Sequence, residues 1–418
     1  MATKLISLPD RRFACRECPA RCCRLPWRIR LRDEEARRYL ADPWVRERAG
    51  PEGARVLERG VLPMREVDRR LECVFLDPDG LCSMQKREGH AYLPRSCQAF
   101  PFGFVRDEDS AVVAQLSQLC PSIRDNRGDP VDGQLPSKLQ QKGEVGRMSD
   151  AMSTQGGLLL SQPQYLRVVR RWEARLGEGG SPAAALAQIY DWTIAFEGAL
   201  LGEAGRATDA SVEAALDLAD RQDVEPVQPR ATPSFPARAL FASLLGLLCY
   251  PSRLRLAHRI GRAGGSLGEA LRSLGNKLAW LLGRGTVDML FLPGPLELRR
   301  VRAVPRFLSG DEGSLVADFL RLVLRRRQIF CAEPLSLVDV IVDLALSTTL
   351  ISHFARCHAA AAQRERVTPE DVREGISVAE MLLSSHASLD GQRGLSKHLR
   401  RLLATNRTRL RETLATEA

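Results

Sequence analysis

The chain is poor in aromatic residues, which make up 6% of its 418 positions, and poor in lysine. A core with so few rings must be built mainly from leucine, alanine and valine, and that favours helices. Lysine stands only at Lys4, Lys86, Lys138, Lys142, Lys277 and Lys397, so 55 of the 61 basic residues are arginine. The net charge of +10 and sequence pI of about 9.3 would suit a nucleic-acid partner. The arginines, however, are scattered among Asp and Glu and form no basic stripe, so nucleic acid is not an expected partner. The first residues, MATKLISLPDRR, lack the apolar core and cleavage site of a signal peptide. The longest mainly apolar stretches, Ala239–Tyr250 and Leu344–Ala355, are 12 residues each, against the ~20 needed to span a bilayer. The expectation is a soluble, cytoplasmic chain with no membrane span. Also missing are a Ser–His–Asp arrangement, a phosphate loop and a paired-His metalloprotease motif. No strand leads into a Gly-rich turn of the kind that cradles a nucleotide; Gly264-Gly265-Ser266-Leu267-Gly268 lies between helical segments and reads as an interhelical loop.

What the chain does have is cysteine, unevenly placed. Eight of its 11 cysteines fall between Cys15 and Cys120; Cys249, Cys331 and Cys357 are spread through the rest. In a reducing compartment such density reads as metal ligation or redox chemistry rather than disulfides. Cys15, Cys18, Cys22 and Cys23 are packed into nine residues, so one loop can wrap a metal centre. Cys73, Cys82, Cys97 and Cys120 supply the second half. Thiolates are soft ligands that select zinc, copper(I) or iron–sulfur clusters, and four satisfy one zinc or one cluster. Eight allow one centre with spare cysteines or two centres. Cys22 and Cys23 are adjacent, so in an extended chain they would point apart and could not share a metal unless the chain turns there.

The length favours two or three domains. We read residues 1–124 as a small cysteine-rich metal-binding domain, 125–164 as a linker or long loop, and 165–418 as mostly helical, with a possible second linker at 220–236. The fold class expected is α+β. Trp27, Ile29 and Leu31 alternate with arginines, which predicts a strand. Asp33 looks like a cap for a helix through Leu40, with Pro43 marking its end. Asp77-Pro78-Asp79-Gly80 is a turn that brings Cys73 and Cys82 together after a strand at Leu71–Leu76. Gly103–Arg106 and Ala111–Leu116 predict a hairpin. Helical spacing marks Tyr165–Leu176, Ala183–Leu201, Ser211–Ala219, Ala237–Tyr250, Leu254–Ile260, Leu267–Leu282, Ser314–Arg327, Leu335–Ala362, Thr368–Ser384 and Leu395–Leu414.

The segment from Phe13 to Ser122, about a quarter of the chain, resembles the YkgJ-type cysteine-cluster family, described as a zinc- or iron-chelating domain. The matching positions are Cys15, Cys18, the Cys22–Cys23 pair, Trp27, the segment from Cys73 to Cys82, Gly89, the run from Cys97 to Phe102, and Cys120-Pro121. That family includes flagellin lysine-N-methylases. The resemblance implies a metal site at the eight cysteines, with an iron–sulfur cluster expected and zinc the alternative. It also raises a lysine N-methylase acting on flagellin or a similar protein with S-adenosylmethionine. One departure counts against radical chemistry: the radical S-adenosylmethionine loop is C-x3-C-x2-C, whereas Cys15, Cys18 and Cys22 run C-x2-C-x3-C.

Other candidates rank lower. His90 reads as a solvated loop histidine rather than a ligand. His353 and Cys357 share a helix face beside His358, too few groups for a second metal site. Cys249 and Cys331 read as core thiols. Asp339 and Asp343 lie four apart in an apolar helix, where two acids could share a proton or hold a cationic substrate, although an exposed polar face is the favoured reading. Acids near the cysteines are Glu17, Glu72, Asp77 and Asp79.

Overall fold

The computed structural model describes residues 4–6, 11–15, 20–24, 29–67, 70–142, 145–177, 181–222, 235–248, 267–287, 292, 294–305, 310–326, 336–383, 408, 410 and 414. The fold is α+β, mainly helical with small sheets. Its strands are β1 (Leu5–Ile6), β2 (Arg12–Phe13), β3 (Met64–Val67), β4 (Arg70–Cys73), β5 (Phe102–Arg106), β6 (Val112–Leu116), β7 (Asp129–Pro130), β8 (Gly146–Arg147), β9 (Ala151–Ser153), β10 (Leu159–Ser161), β11 (Thr286–Val287) and β12 (Leu296–Glu297). The helices of the first third are α1 (Asp33–Ala41), α2 (Pro43–Glu58), α3 (Ser83–Glu88), α4 (Arg95–Ala99), α5 (Pro121–Arg124) and α6 (Leu135–Lys142). Then follow α7 (Gln162–Arg175), α8 (Pro182–Ala199), α9 (Asp209–Asp220), α10 (Phe235–Leu248), α11 (Leu267–Leu282), α12 (Leu298–Ala303), α13 (Gly310–Arg325), α14 (Leu337–Ala361) and α15 (Pro369–Leu383).

Local chemistry explains several boundaries. Pro43 opens α2 instead of merely ending α1: Asp42 accepts from the amides of Trp44 and Val45, and proline suits the first helical position. Gly50, at φ 69°, kinks α2 just before Pro51. The expected strand from Trp27 reduces to one isolated bridge between Arg30 and Val61; Trp27 itself lies outside the described residues. The turn at Asp77–Gly80 forms as expected, with the Gly80 amide donating to Asp77 O and Leu76 bridged to Cys82. The β5–β6 hairpin also forms, Phe102 opposite Leu116 and Arg106 opposite Val112. It sits in a sheet ordered β1-β6-β5-β8.

Residues 125–164, read as a linker, hold α6 and the strands β7 to β10. Their apolar residues contribute to the core: Met148, Met152 and Leu160 are buried together with the helical body, as are Val105 and Val113 of the hairpin. The core therefore runs across the sequence boundary at residue 124. Of the proposed second linker at 220–236, Asp220 ends α9, Phe235 and Pro236 begin α10, and residues 223–234 fall outside the described residues, as do the helices expected at Leu254–Ile260 and, apart from three positions, Leu395–Leu414.

At the centre of the helical body is α14, 25 residues long, buried on nearly all sides and crossed by α15. By length and composition it could cross a membrane; the apolar window that qualifies is 89% buried inside the protein. The crossing with α15 is close because Gly375 has no side chain: a Cβ there would fall on the Ile351 carbonyl.

Glu197, near the end of α8, is 8% exposed. Its Oε2 accepts from the Gln155 amide at 3.0 Å, while its Oε1 has no hydrogen-bond partner among the described residues. Burial, aided by Asp339, pushes its pKa from an ordinary 4.5 up to about 7. A carboxyl raised in the folded state adds stability that is complete below its unfolded value and is lost as pH rises through the folded one. The gap is worth about 3 kcal/mol. Urea unfolding of wild type and Glu197→Gln should show that the glutamine variant gains up to about 3 kcal/mol on wild type between pH 5 and pH 8. A stability difference that stays constant over this range would disprove the burial argument.

Candidate metal centre

Cys22 and Cys23 lie in a single 3-10 turn, Arg21–Arg24, closed by the Cys23 amide donating to Ala20 O. The chain does turn there, so the two sulfurs face one another at 3.9 Å. Cys73 ends β4. Cys82 follows the Asp77–Gly80 turn and precedes α3, and Cys97 lies in α4. Four separate segments thus carry Cys23, Cys73, Cys82 and Cys97 to one apolar cluster around Tyr39, Phe75 and Met84.

The thiols sense one another. Burial pushes Cys97 well above the ordinary thiol value, and Cys73, Cys23, Cys82 and Glu35 push it further. Burial also raises Cys73, with Cys23 and Cys82 adding to it, and raises Cys82, with Cys23 adding to it. Cys23 is the exception. The hydrogen bond from Cys22 lowers its pKa, and Arg24 helps, against burial and Glu72. Glu72 is itself paired with Arg24 at 3.0 Å. In a neutral protein three of these four thiols would stay protonated, and a soft cation would have to displace their protons. Among the described residues, no three His, Cys, Asp or Glu side chains close around a single ion position.

Cys15 and Cys120 lie apart from this group. Cys120 is buried in another apolar cluster, with Phe13 and Phe102, and directly precedes α5. The Ala14 amide donates to Ser122 Oγ at 2.8 Å, which holds the exposed Cys15 on the same side as Cys120. Lys138 stands between the two groups: it donates to Gln98 O at 2.9 Å, next to Cys97, and Cys15 opposes the lowering of its pKa by burial. Cys18, Cys249 and Cys331 lie outside the described residues, as does Glu17. His90 is exposed, its pKa lowered by burial of its ring and by Lys138. Asp77 and Asp79 are taken up by Lys86, and Asp77 also by Arg48.

The helical candidates resolve differently. Cys357 Sγ and His353 Nε2 meet at 3.4 Å, as their spacing required, but in a buried setting against the rings of Phe241, Trp280 and Phe354. Asp339 is the third residue of α14; its carboxylate accepts from Ser336 N at 3.0 Å and Ser336 Oγ at 2.9 Å and so caps the helix. It faces Glu197, an acid that the sequence reading did not single out.

A line of polar contacts fastens the cysteine segment to α15. Arg21 pairs with Glu374, Arg124 donates to Arg373 O and Ser377 Oγ at 3.1 Å, and Arg373 pairs with Asp125. Glu380 accepts from Ser117 and Gln118. No protein-family model, curated protein or solved structure matches the chain.

Proposed function

We propose that the chain is a metal-binding protein whose N-terminal segment holds a thiolate-ligated centre, an iron–sulfur cluster with zinc as the alternative. The observation that carries this reading is the gathering of Cys23, Cys73, Cys82 and Cys97 from four segments into one apolar shell. Burial and the charge of a neighbouring thiolate hold Cys73, Cys82 and Cys97 in the neutral form. A cation that takes thiolates replaces their protons and turns that like-charge penalty into ligation. What supports a cluster is the chemistry of the four side chains, all sulfur, and the apolar surface of Tyr39, Phe75 and Met84 in the same shell. These four residues would hold the group, with Cys22 beside Cys23; Cys15 and Cys120, together with Cys18, would serve a second centre or none. When bound, a cluster supplies one-electron transfer or structural cross-linking. The lysine N-methylase alternative, with flagellin as substrate and S-adenosylmethionine as donor, is carried by the family resemblance alone. Calorimetry with S-adenosylmethionine on the metal-loaded protein tests it.

Protein purified without oxygen is expected to be brown, to contain iron and acid-labile sulfide, and to show broad sulfur-to-iron charge-transfer absorption. Colourless protein with stoichiometric zinc would replace the cluster by a structural zinc site. Protein with no metal at all, under conditions that preserve thiols, would end the metal-binding reading.

A further inference from the structure

We propose that Glu35 is the positioning residue for Cys97, one carboxylate capping two helices at once. The proposal deepens the metal-centre reading and rests on it for its electrostatic half only. Glu35 is 5% exposed. Its Oε2 accepts from Arg32 N at 2.9 Å, at the start of its own helix α1, and its Oε1 accepts from Arg95 N at 2.7 Å, the first residue of α4. Cys97 is two residues further on, its amide bonded to Pro94 O at 2.8 Å.

A helix of five residues does not hold itself in water. The direction of α4, and with it the aim of Cys97, depends on what grips its ends. Gln98 holds the far side through Leu93 O at 2.6 Å, and Lys138 reaches Gln98 O. Glu35 holds the near side with a charged acceptor, the stronger kind of hydrogen bond. Only a carboxylate offers two acceptor oxygens for two amides; glutamine would turn an NH2 group toward one of them. The same charge lies beside the thiols, where it disfavours adding an electron to a bound cluster.

The test uses the full-length chain as wild type, Glu35→Gln and Arg95→Pro. The proline removes the amide donor, at a first-turn position that tolerates it, together with the Arg95 guanidinium. With chelator present, alkylation of Cys97 by iodoacetamide, read by peptide mass spectrometry, should accelerate about tenfold or more in both variants, since a bond to a charged acceptor is lost. Cys120, in a separate cluster, should keep its rate. If Cys120 also becomes reactive in Glu35→Gln, that variant has unfolded and Arg95→Pro decides. An unchanged Cys97 rate in Arg95→Pro overturns the positioning role, whatever metal the protein carries. In iron-loaded protein, Glu35→Gln should raise the midpoint potential, whereas Arg95→Pro, which keeps the Glu35 carboxylate and loses a guanidinium, should not raise it. Equal potentials in all three overturn the electrostatic half. Wild type that holds only zinc defeats the cluster reading, and the alkylation result still settles Glu35.

Discussion

Serine at Cys73 or Cys97 is expected to empty the proposed metal centre and unfold the cysteine segment in one step, whereas serine at Cys357 leaves metal content untouched. Metal binding to thiolate sites is worth about 10–16 kcal/mol in small zinc domains, comparable to the whole ~5–15 kcal/mol that keeps an ordinary domain folded. Cys73 is buried and Cys97 partly so, both in the cluster that includes Tyr39 and Phe75. A serine hydroxyl there is a poor ligand and a buried polar group without a designed partner. Metal per chain should fall from stoichiometric to near zero, and soluble yield should fall with it. Cys22→Ser is expected to do less, because Cys22 acts on Cys23 through one sulfur contact. Cys357 lies against His353 in the helical body, and its replacement should cost about 1 kcal/mol of packing and no metal. Equal metal loss at Cys357 and Cys97 would place the centre in the wrong half of the molecule.

The parts of this site that were legible in the sequence are those fixed by neighbours in the chain. Asp77-Pro78-Asp79-Gly80 encodes its own turn, so the approach of Cys82 to Cys73 could be read directly. The leucine spacing of Leu267–Leu282 gave the bounds of α11 for the same reason. The helix expected from Thr368 starts there, where Thr368 and Asp371 cap each other through bonds between chain neighbours. What could not be read depends on partners far away. Glu35 looks like one more first-turn acid of α1, yet its second bond goes to Arg95, 60 residues on. The polar stretch 125–164 looked like a linker because its strands are two or three residues long, too short for a period to show, and are fixed by pairing and by a core built elsewhere. Adjacent Cys22 and Cys23 were expected to diverge, and a 3-10 turn between arginines, with no local signal, brings them together. Glu380 did leave a trace: an acid inside the apolar run Val378-Ala379-Glu380-Met381-Leu382 marks either an exposed stripe or a buried pair.

Glu380 proves to be a buried pair, and removing it should have the largest effect of any single change in the helical body. Its side chain is fully buried and Arg326, at 2.7 Å, is 4% exposed. Glu380 also accepts from Ser117 Oγ at 2.8 Å and from the Gln118 amide at 3.0 Å. Arg326 donates further to Leu116 O at 3.3 Å, and its own carbonyl accepts from Gln115. One ion pair thus connects the end of β6 to α13 and α15, across 262 residues of chain. Glu380→Ala strands a guanidinium and two donors in a dry interior, a loss of about 3–5 kcal/mol. Replacing both partners, as Arg326→Met with Glu380→Leu, removes the stranded charge and should recover most of that loss. Because the pair joins the cysteine segment to the helices, wild type should unfold in one denaturant transition, and Glu380→Ala should shift its midpoint or split it in two. A Glu380→Ala protein within about 1 kcal/mol of wild type, with a single unshifted transition, would mean that the pair is solvated and that the two halves are held together by the apolar contacts of Val105, Val113 and Leu322 and by the polar contacts of Arg21, Arg124 and Asp125 with α15.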